Sequence, residues 1–435
     1  MSGHNVGVKS ERLPSEGTTE FPGTPMPSGS TSKHMRILKI VQSYYPFQEK
    51  GGPVVKVRAI ALGLAARGHS VTVLTADHGF QPSMVPNLHA EEGRWGWQMQ
   101  EGGVDAIFLR TFGHYRAETF NPGLMRCAAQ LIPNFDCVHI YGLYDFLGPA
   151  VAYECRGHRV PYLVEPMGMF RPIVRNLLLK KIYHAVFGRR LLQGAYRMIA
   201  TAEQEKRELV AGGIDSARVV VRRNGIDVPE RLPERGGFRR KWKIEPQTQI
   251  VLFLGRIVAK KSPDLLLDAF ARMLREAPDA KNSVLVFAGP TEEASYITNL
   301  RSRAAALGIS ESVLFTGPIY DEAKWAAYRD ADVFALPSQN ENFGNSAAEA
   351  MACGTPVIVS NQCGIAPLIE GKTGLVVPHD TRAVADALKA LLQDNRLAQE
   401  FRDACPSAIR GLSWDEPLTQ MEELYREAAS QSKPA

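Results

Sequence analysis

The chain has 435 residues, a formal net charge of +5, and 45% hydrophobic and 22% charged residues. That length exceeds one ordinary core and suits two domains of roughly 200 residues each, and the composition is that of a globular protein. No apolar run approaches the roughly 18 residues of a membrane span, and neither a His-Glu-x-x-His nor a dense Cys/His cluster suggests zinc.

The six cysteines are scattered without a Cys-x-x-Cys pair, which fits reduced, buried thiols in a cytosolic protein. Residues 1–34 are rich in Gly, Ser, Thr and Pro and have no apolar stretch to fold on or to serve as a signal peptide. They read either as a disordered tail or as an over-called start, with Met35 just ahead of the first strand-like run.

From residue 36 strand and helix alternate. Residues 37–41 form an apolar strand-like run, and Gly51-Gly52-Pro53 makes a turn. Residues 54–67 then read as a helix, with Pro53 near its first position and Gly68 at its end. A strand at 71–74 completes a βαβ unit, which implies parallel neighbours. Runs at 138–140, 162–164 and 219–221 continue the strands, with helical stretches between them.

A turn-rich segment from Asn224-Gly225 to Gly236-Gly237 follows, and the alternation restarts. Strand-like runs lie at 250–255, 283–288, 312–316, 332–336, 356–359 and 374–377, with helices at 264–275, 298–307 and 381–393 among them. The expected architecture is α/β: two tandem doubly wound, Rossmann-like domains with a cleft between them. The predicted organisation is an N-terminal Rossmann-like domain over 35–230, a linker over 231–245 and a C-terminal Rossmann-like domain over 246–412. Residues 413–435 form an amphipathic C-terminal helix that can pack back on the N-terminal domain.

The chemistry concentrates after the strand at 332–336. The segment Pro337-Ser338-Gln339-Asn340-Glu341-Asn342-Phe343-Gly344-Asn345-Ser346-Ala347-Ala348-Glu349 leaves a buried strand and opens a helix. Helical side chains lean toward the N-terminus, so Glu349 is expected to reach the same cleft as Glu341. Gly344 permits close backbone approach, and free N–H groups at a helix start hold phosphate. Two hydroxyl acceptors and an anion site on one loop suit a sugar joined to a diphosphate. Phe343, Gly344, Asn345 and Ser346 are the expected contacts between the two carboxylates. A second cluster, Gly255-Arg256-Ile257-Val258-Ala259-Lys260-Lys261, ends the first strand of the second half. Arg256 and Lys261 are placed there to neutralise a departing diphosphate, with Lys260 as the solvent-facing neighbour.

These segments resemble family 4 of the glycosyltransferases, a retaining family with the GT-B fold, and the resemblance runs from Met35 to about Arg426. The Glu-x7-Glu pair matches Glu341 and Glu349, and Ala350-Met351-Ala352-Cys353-Gly354-Thr355-Pro356-Val357 is similar to the family's continuation. The resemblance implies that Glu341 contacts donor-sugar hydroxyls and supports charge at the anomeric carbon, that Glu349 holds the nucleotide ribose, and that Arg256 and Lys261 bind the diphosphate. It makes Gly51 and Gly52 the glycine loop facing the donor across the cleft. In Asp136-Cys137-Val138-His139-Ile140-Tyr141-Gly142 it sets His139 and Tyr141 near the reacting sugar, with Tyr141 where a second histidine is usual; His139 is either a site residue or a strand histidine. Met167 stands where a His or Arg is frequent. Thr201-Ala202-Glu203 resembles a motif at the start of a cleft-facing helix, so Glu203 is either a substrate contact or a simple cap.

The implied activity is transfer of a sugar from a nucleoside-diphosphate donor to a glycan or lipid-linked acceptor, in cell-surface polysaccharide or glycolipid biosynthesis. No cofactor beyond the donor co-substrate is expected. Retention is expected because the candidate base position carries Tyr141, whose phenol, with an ordinary pKa near 10, is a poor base at neutral pH. Asp330-Ala331-Asp332 spells a metal motif of another glycosyltransferase fold, but it joins a helix to a strand and reads as structural. Asp77 mimics a dehydrogenase ribose acid without the G-x-G-x-x-G that would support it.

Between Arg171 and Arg197 lie seven Lys/Arg and no acid, and without them the net +5 becomes −2. Val174, Leu178, Ile182 and Val186 recur every four residues, so this helix either meets an anionic membrane face or buries its apolar stripe in the core. No nucleic-acid motif accompanies the charge. A cytoplasmic protein is expected, peripheral on the cytoplasmic membrane face if the basic helix meets it. Alternatives on the same fold are a nucleotide-sugar epimerase and a non-catalytic sugar-nucleotide-binding protein.

Overall fold

The computed structural model describes residues 34–115, 118–170, 182–277, 282–291 and 293–431. The first half holds strands β1 (Arg36–Val41), β2 (Ser70–Ala76), β3 (His89–Gly93), β4 (Gly96–Glu101) and β5 (Val104–Leu109). A short hairpin, β6 (Gly113–Tyr115) with β7 (Glu118–Phe120), follows. Strands β8 (Cys137–Tyr141), β9 (Tyr162–Glu165), β10 (Met198–Ala200) and β11 (Val219–Val221) complete it. Nine of these strands make one sheet in the order β11-β10-β9-β8-β1-β2-β5-β4-β3.

The sheet is parallel from β11 to β5, while β4 runs antiparallel to both β3 and β5. This hairpin excursion lies outside the predicted alternation. Its outer strand is half-exposed and polar, and its turn is set by Gly96, whose φ of 139° and a Cβ position 2.0 Å from Phe108 O admit only glycine.

The second half has β12 (Gln249–Leu254), β13 (Ser283–Ala288), β14 (Val313–Gly317), β15 (Val333–Leu336), β16 (Val357–Ser360) and β17 (Gly374–Val377), all parallel, in the order β14-β13-β12-β15-β16-β17. Strands such as Ile250-Val251-Leu252-Phe253-Leu254 are buried along their whole length because helices cover both faces.

In both sheets the strand order reverses beside the first strand: between β1 and β8 in one, between β12 and β15 in the other. Ligands of such sheets bind outside the carboxyl ends of the strands at that reversal. The loops after β12 and β15 carry Arg256, Lys261 and Glu341; the loop after β1 ends at Gly51, and Gly52 opens the helix that follows. Topology therefore converges on the residues singled out by chemistry.

The helix Asp415–Gln431 leaves the second half and covers the first sheet. Leu418, Met421, Tyr425 and Ala428 are buried in one cluster with Ile37, Val57, Val73 and Tyr141. Gly63, on the helix Gly52–Ala66, lets it approach, since a Cβ there would sit 2.5 Å from Leu418 Cδ1. His69 and Arg67 hold Glu422 at 2.8 and 3.2 Å.

Candidate active site

The loop after β15 is built like a short extra strand. Glu341 N donates to Gln362 O and Gly364 N donates to Glu341 O, both at 2.9 Å, so the main chain at Glu341 is fixed. Its carboxylate lies 2.9 Å from Lys261 Nζ, both side chains about one-fifth exposed. Burial alone would raise the carboxyl's pKa, but Lys261, Lys260 and Arg256 outweigh it and hold Glu341 below its ordinary value. Lys260 is a correction to the expected solvent-facing neighbour. It is half-buried beside Glu341, and burial, with Arg256 and Lys261 nearby, lowers its pKa. Three cations thus surround one carboxylate.

The helix Asn345–Ala352 starts at Gly344, whose φ is 108° and whose Cβ position lies 2.9 Å from Ile365 Cγ2. Ser346 Oγ, in its first turn, is buried with no hydrogen-bond partner among the described residues. The Phe343 side chain is 2% exposed and packs in the second-half core, so only its backbone is offered to the cleft. Glu349 faces the helix Asp321–Asp330, where Lys324 Nζ and Tyr328 OH donate to its two oxygens at 2.8 and 2.9 Å. Asp227, with its carboxyl raised by burial, feels both Lys324 and Glu349. Lys324, Tyr328 and Asp227 carry no motif, so sequence reasoning missed them.

Across the cleft, Gly51 has a φ of 93° and lies against Arg256, whose Nε is 3.0 Å from a Cβ built at Gly51. Gly52 opens the helix Gly52–Ala66, with open space where a side chain would stand.

His139 and Tyr141 require a correction. They are 0% and 1% exposed: both side chains lie on the face of β8 that the C-terminal helix covers, even though Tyr141 is the last residue of the strand. His139 Nδ1 is 2.7 Å from Tyr425 OH, and its ring stacks on Tyr141 at 3.9 Å. Lys39 Nζ donates to the hydroxyls of Tyr141 and Tyr425 at 2.9 and 3.1 Å. Burial, reinforced by Lys39 and Arg222, pushes His139 well below its usual pKa, so it is neutral. The alternation of a strand puts Lys39, His139, Tyr141 and Glu165 on the covered face. Glu165 is the centre of this buried group: Arg222 Nη2 donates to both its oxygens at 3.0 and 2.8 Å, and Lys56 pairs with it.

Glu203 is likewise corrected. It is the exposed first residue of the helix Glu203–Ala211, whereas buried Glu205 accepts from Thr201 N at 2.8 Å and Gly168 N at 2.6 Å. The signal was its place three residues past the cap, where a carboxylate reaches back to free N–H groups. Met167 packs against the first-half core. Asp77 accepts from Gly79 N and Phe80 N in a turn. Asp330 accepts from Gly236 N and Arg239 N, and Asp332 from Ile250 N and Arg239 Nη2, so both carboxylates hold the helix Gly237–Trp242 to the sheet.

Of the basic segment, Arg171, Val174, Arg175, Leu178, Lys180 and Lys181 fall outside the described residues. Ile182 and Val186 are 51% and 48% exposed, near exposed Phe146, Phe187, Arg189 and Arg190.

The fold and site define an α/β protein of two doubly wound sheets, with a cation-lined carboxylate where the second sheet reverses its order. Residues 234–407 match the family model described as glycosyl transferases group 1, and residues 51–225 match the glycosyl transferase 4-like domain. A D-inositol 3-phosphate glycosyltransferase of Nocardia farcinica is 36% identical over 399 residues, covering 87% of this chain and 85% of that one. One of the same name from Rhodococcus jostii is 36% identical, over 53% of this chain and 52% of its own. Among solved structures, Anabaena HepE in complex with UDP and glucose has a TM-score of 0.73 at 18% identity, covering 91% of this chain and all of that one. Sucrose-phosphate synthase from Thermosynechococcus elongatus has a TM-score of 0.70 at 21% identity, covering 92% and 100%. The chain belongs to the group 1, family 4 glycosyltransferases and has their GT-B fold. Among the described residues no helix is long and apolar enough to cross a membrane.

Proposed function

We propose that this glycosyltransferase moves a sugar from a nucleoside-diphosphate donor to an acceptor hydroxyl, with retention of configuration and without a bound metal. The observation that carries the reading is the Glu341–Lys261 pair at the strand-order reversal, with Arg256 and Lys260 around it. As the bond from the anomeric carbon to the phosphate oxygen breaks, its electron pair goes to the diphosphate. Arg256, Lys261 and the helix start at Gly344 stabilise that charge. Glu341 stabilises positive charge at the anomeric carbon, and the acceptor oxygen bonds there on the face being vacated. The acceptor proton passes to the departing phosphate oxygen, which fits a site whose His139 and Tyr141 side chains are buried beneath the C-terminal helix. Glu349, held by Lys324 and Tyr328, is the ribose acceptor.

Two acceptor classes have support. The relatives' names favour a phosphorylated polyol such as D-inositol 3-phosphate. The exposed apolar residues beside Arg189 and Arg190 favour a lipid-linked glycan and peripheral attachment at a cytoplasmic membrane face. The test is a panel of UDP-, GDP- and ADP-sugars read by nucleoside diphosphate release, with inositol phosphate and crude lipid extract as acceptors. Glu341→Ala should lose about a hundredfold or more in turnover while its melting temperature stays at the parent's. Full turnover by a folded Glu341→Ala protein removes the assignment. Excess chelator should leave the rate unchanged, and proton NMR of the new linkage should show the donor's anomeric configuration.

A further inference from the structure

The loop carrying Glu341 and the helix it opens are bound to the first half through three asparagine hydrogen bonds. Asn340 Nδ2 donates to Glu208 Oε1 at 3.1 Å and Asn342 Nδ2 donates to Thr201 Oγ1 at 2.7 Å. Asn224 Nδ2, at the end of the first half, donates to Asn345 Oδ1 at 3.0 Å. Asn342 is next to Glu341 in the chain and makes the shortest of these bonds. It is seated in a slot that side chains would fill. A Cβ at Gly364 would lie 2.1 Å from Asn342 O and 2.7 Å from Ala202 Cβ, and one at Gly168 would lie 3.2 Å from Asn342 Cβ. Gly364 N also holds Glu341 O, so a shift of Asn342 is passed directly to the glutamate.

Thr201, the other partner, is anchored in the buried ion group. Its N–H is held by Glu205, and its hydroxyl oxygen also accepts from Lys56 Nζ at 3.3 Å. Lys56 pairs with Glu165, which Arg222 grips through both oxygens; Thr201, Lys56, Glu165, Glu205 and Arg222 are all 3% exposed or less. Charges so buried tolerate one arrangement, because any displacement strands a charge without its partner. Thr201 is therefore a fixed point on one half against which the Glu341 loop of the other is registered.

We propose that Asn342 and Thr201 are a positioning pair whose hydrogen bond between the halves sets the Glu341 carboxylate for the reaction. The proposal rests on the reading that Glu341 acts on the donor sugar. The pair acts through the placement of the Glu341 carboxylate, which the proposed function assigns to the sugar, so its loss falls on turnover and not on nucleotide affinity.

Thr201→Val keeps the shape and removes the hydroxyl, Thr201→Ser keeps the hydroxyl, and Asn342→Ala removes the amide from the half-buried side. With the fastest donor among UDP-glucose, GDP-mannose and ADP-glucose, Thr201→Val and Asn342→Ala should each lower kcat about tenfold. The Kd for the matching nucleoside diphosphate, by calorimetry, should change less than about twofold, and Thr201→Ser should stay within about threefold of the parent in kcat. Because the two residues act through one bond, the double variant should be no worse than the poorer single one. Parental kcat in Asn342→Ala, multiplicative losses in the double variant, or an equal loss of nucleotide affinity would overturn the pairing.

Hydrogen exchange without ligand gives a second measurement. Peptides over 338–346 should exchange about threefold faster or more in Asn342→Ala and Thr201→Val, and at the parental rate in Thr201→Ser. Unchanged exchange in Asn342→Ala also overturns it. If Glu341→Ala is inactive while Asn342→Ala keeps parental kcat, only the pair's role fails; if Glu341→Ala is fully active, the reading of the site fails.

Discussion

At the scale of single residues, two opposed effects govern Glu341. Burial favours its neutral acid, and three cations led by Lys261 favour the carboxylate, with the cations prevailing. The role proposed for Glu341 needs the ionised form, so on that reading activity is lost as pH falls through the glutamate's pKa. Replacing Lys261 by Met removes the nearest cation and raises that pKa. The acidic limb of the kcat–pH profile should then move to higher pH, and kcat should fall on the order of a hundredfold. A profile reaching down to about pH 3, below the ordinary carboxyl range, with an unmoved limb would assign the limb to another group. The acid–cation pair was legible in sequence from two strand-end motifs. Lys260 was not, because Ala259–Lys261 is a 3-10 turn, and successive residues of so tight a turn do not alternate in and out as in a strand.

At the scale of elements, the helix Asp415–Gln431 is as much a part of the first half as the strands it covers. Its Tyr425 hydroxyl serves Lys39 Nζ and His139 Nδ1 together. Tyr425→Phe leaves those buried groups short of a partner, which costs about 1–3 kcal/mol. The expected result is a lower melting temperature with kcat within about twofold of the parent, since the hydroxyl is buried between this helix and the first sheet. A collapse of kcat without loss of stability would instead connect the buried group to the chemistry. The amphipathic pattern of this helix was readable, and its polar tyrosine on the buried face was the only hint that it covers charge.

At the scale of the whole molecule, the buried lysines make stability depend on pH. Burial first, and Arg222 next to it, lower Lys39 from 10.5 to about 7; burial takes Lys56 to about 8 despite Glu165. In the unfolded chain both hold their protons up to about pH 10.4. Above about pH 7 the unfolded state thus binds more protons, and this contribution to stability grows as pH rises. Buried thiols, whose pKa values burial raises, act in the opposite sense near pH 9 and above, so the comparison belongs between pH 7 and 8.5. Relative to the parent, Lys39→Met should be more stable at pH 7, and that advantage should shrink toward pH 8.5, by at most about 1.4 kcal/mol per pH unit. An advantage constant with pH would mean that Lys39 does not titrate in this range.

The outer surface offers a second whole-molecule test. Each basic residue near an anionic bilayer contributes about 1 kcal/mol, so Arg189→Gln with Arg190→Gln should weaken sedimentation with anionic liposomes about tenfold or more. Equal sedimentation of variant and parent would remove the membrane reading.

Much of the protein was determined by local sequence alone. Apolar runs with glycine and proline punctuation specified two doubly wound sheets, and Glu-x7-Glu with Gly-Arg-x4-Lys marked the strand ends where a ligand crevice opens. These signals survive in one dimension because each depends on residues a few positions apart. The remainder depended on which surfaces meet. His139 and Tyr141 share the more polar face of a strand whose other face carries Val138 and Ile140, and only the docking of a helix from the far end of the chain buries that polar face. Lys56, Glu165, Thr201 and Arg222 are separated by up to 166 positions, yet they form one buried group beside Asn342. Desolvation, which lowers the lysines and makes that group rigid, is a property of the packed interior, so only the tertiary structure decided it.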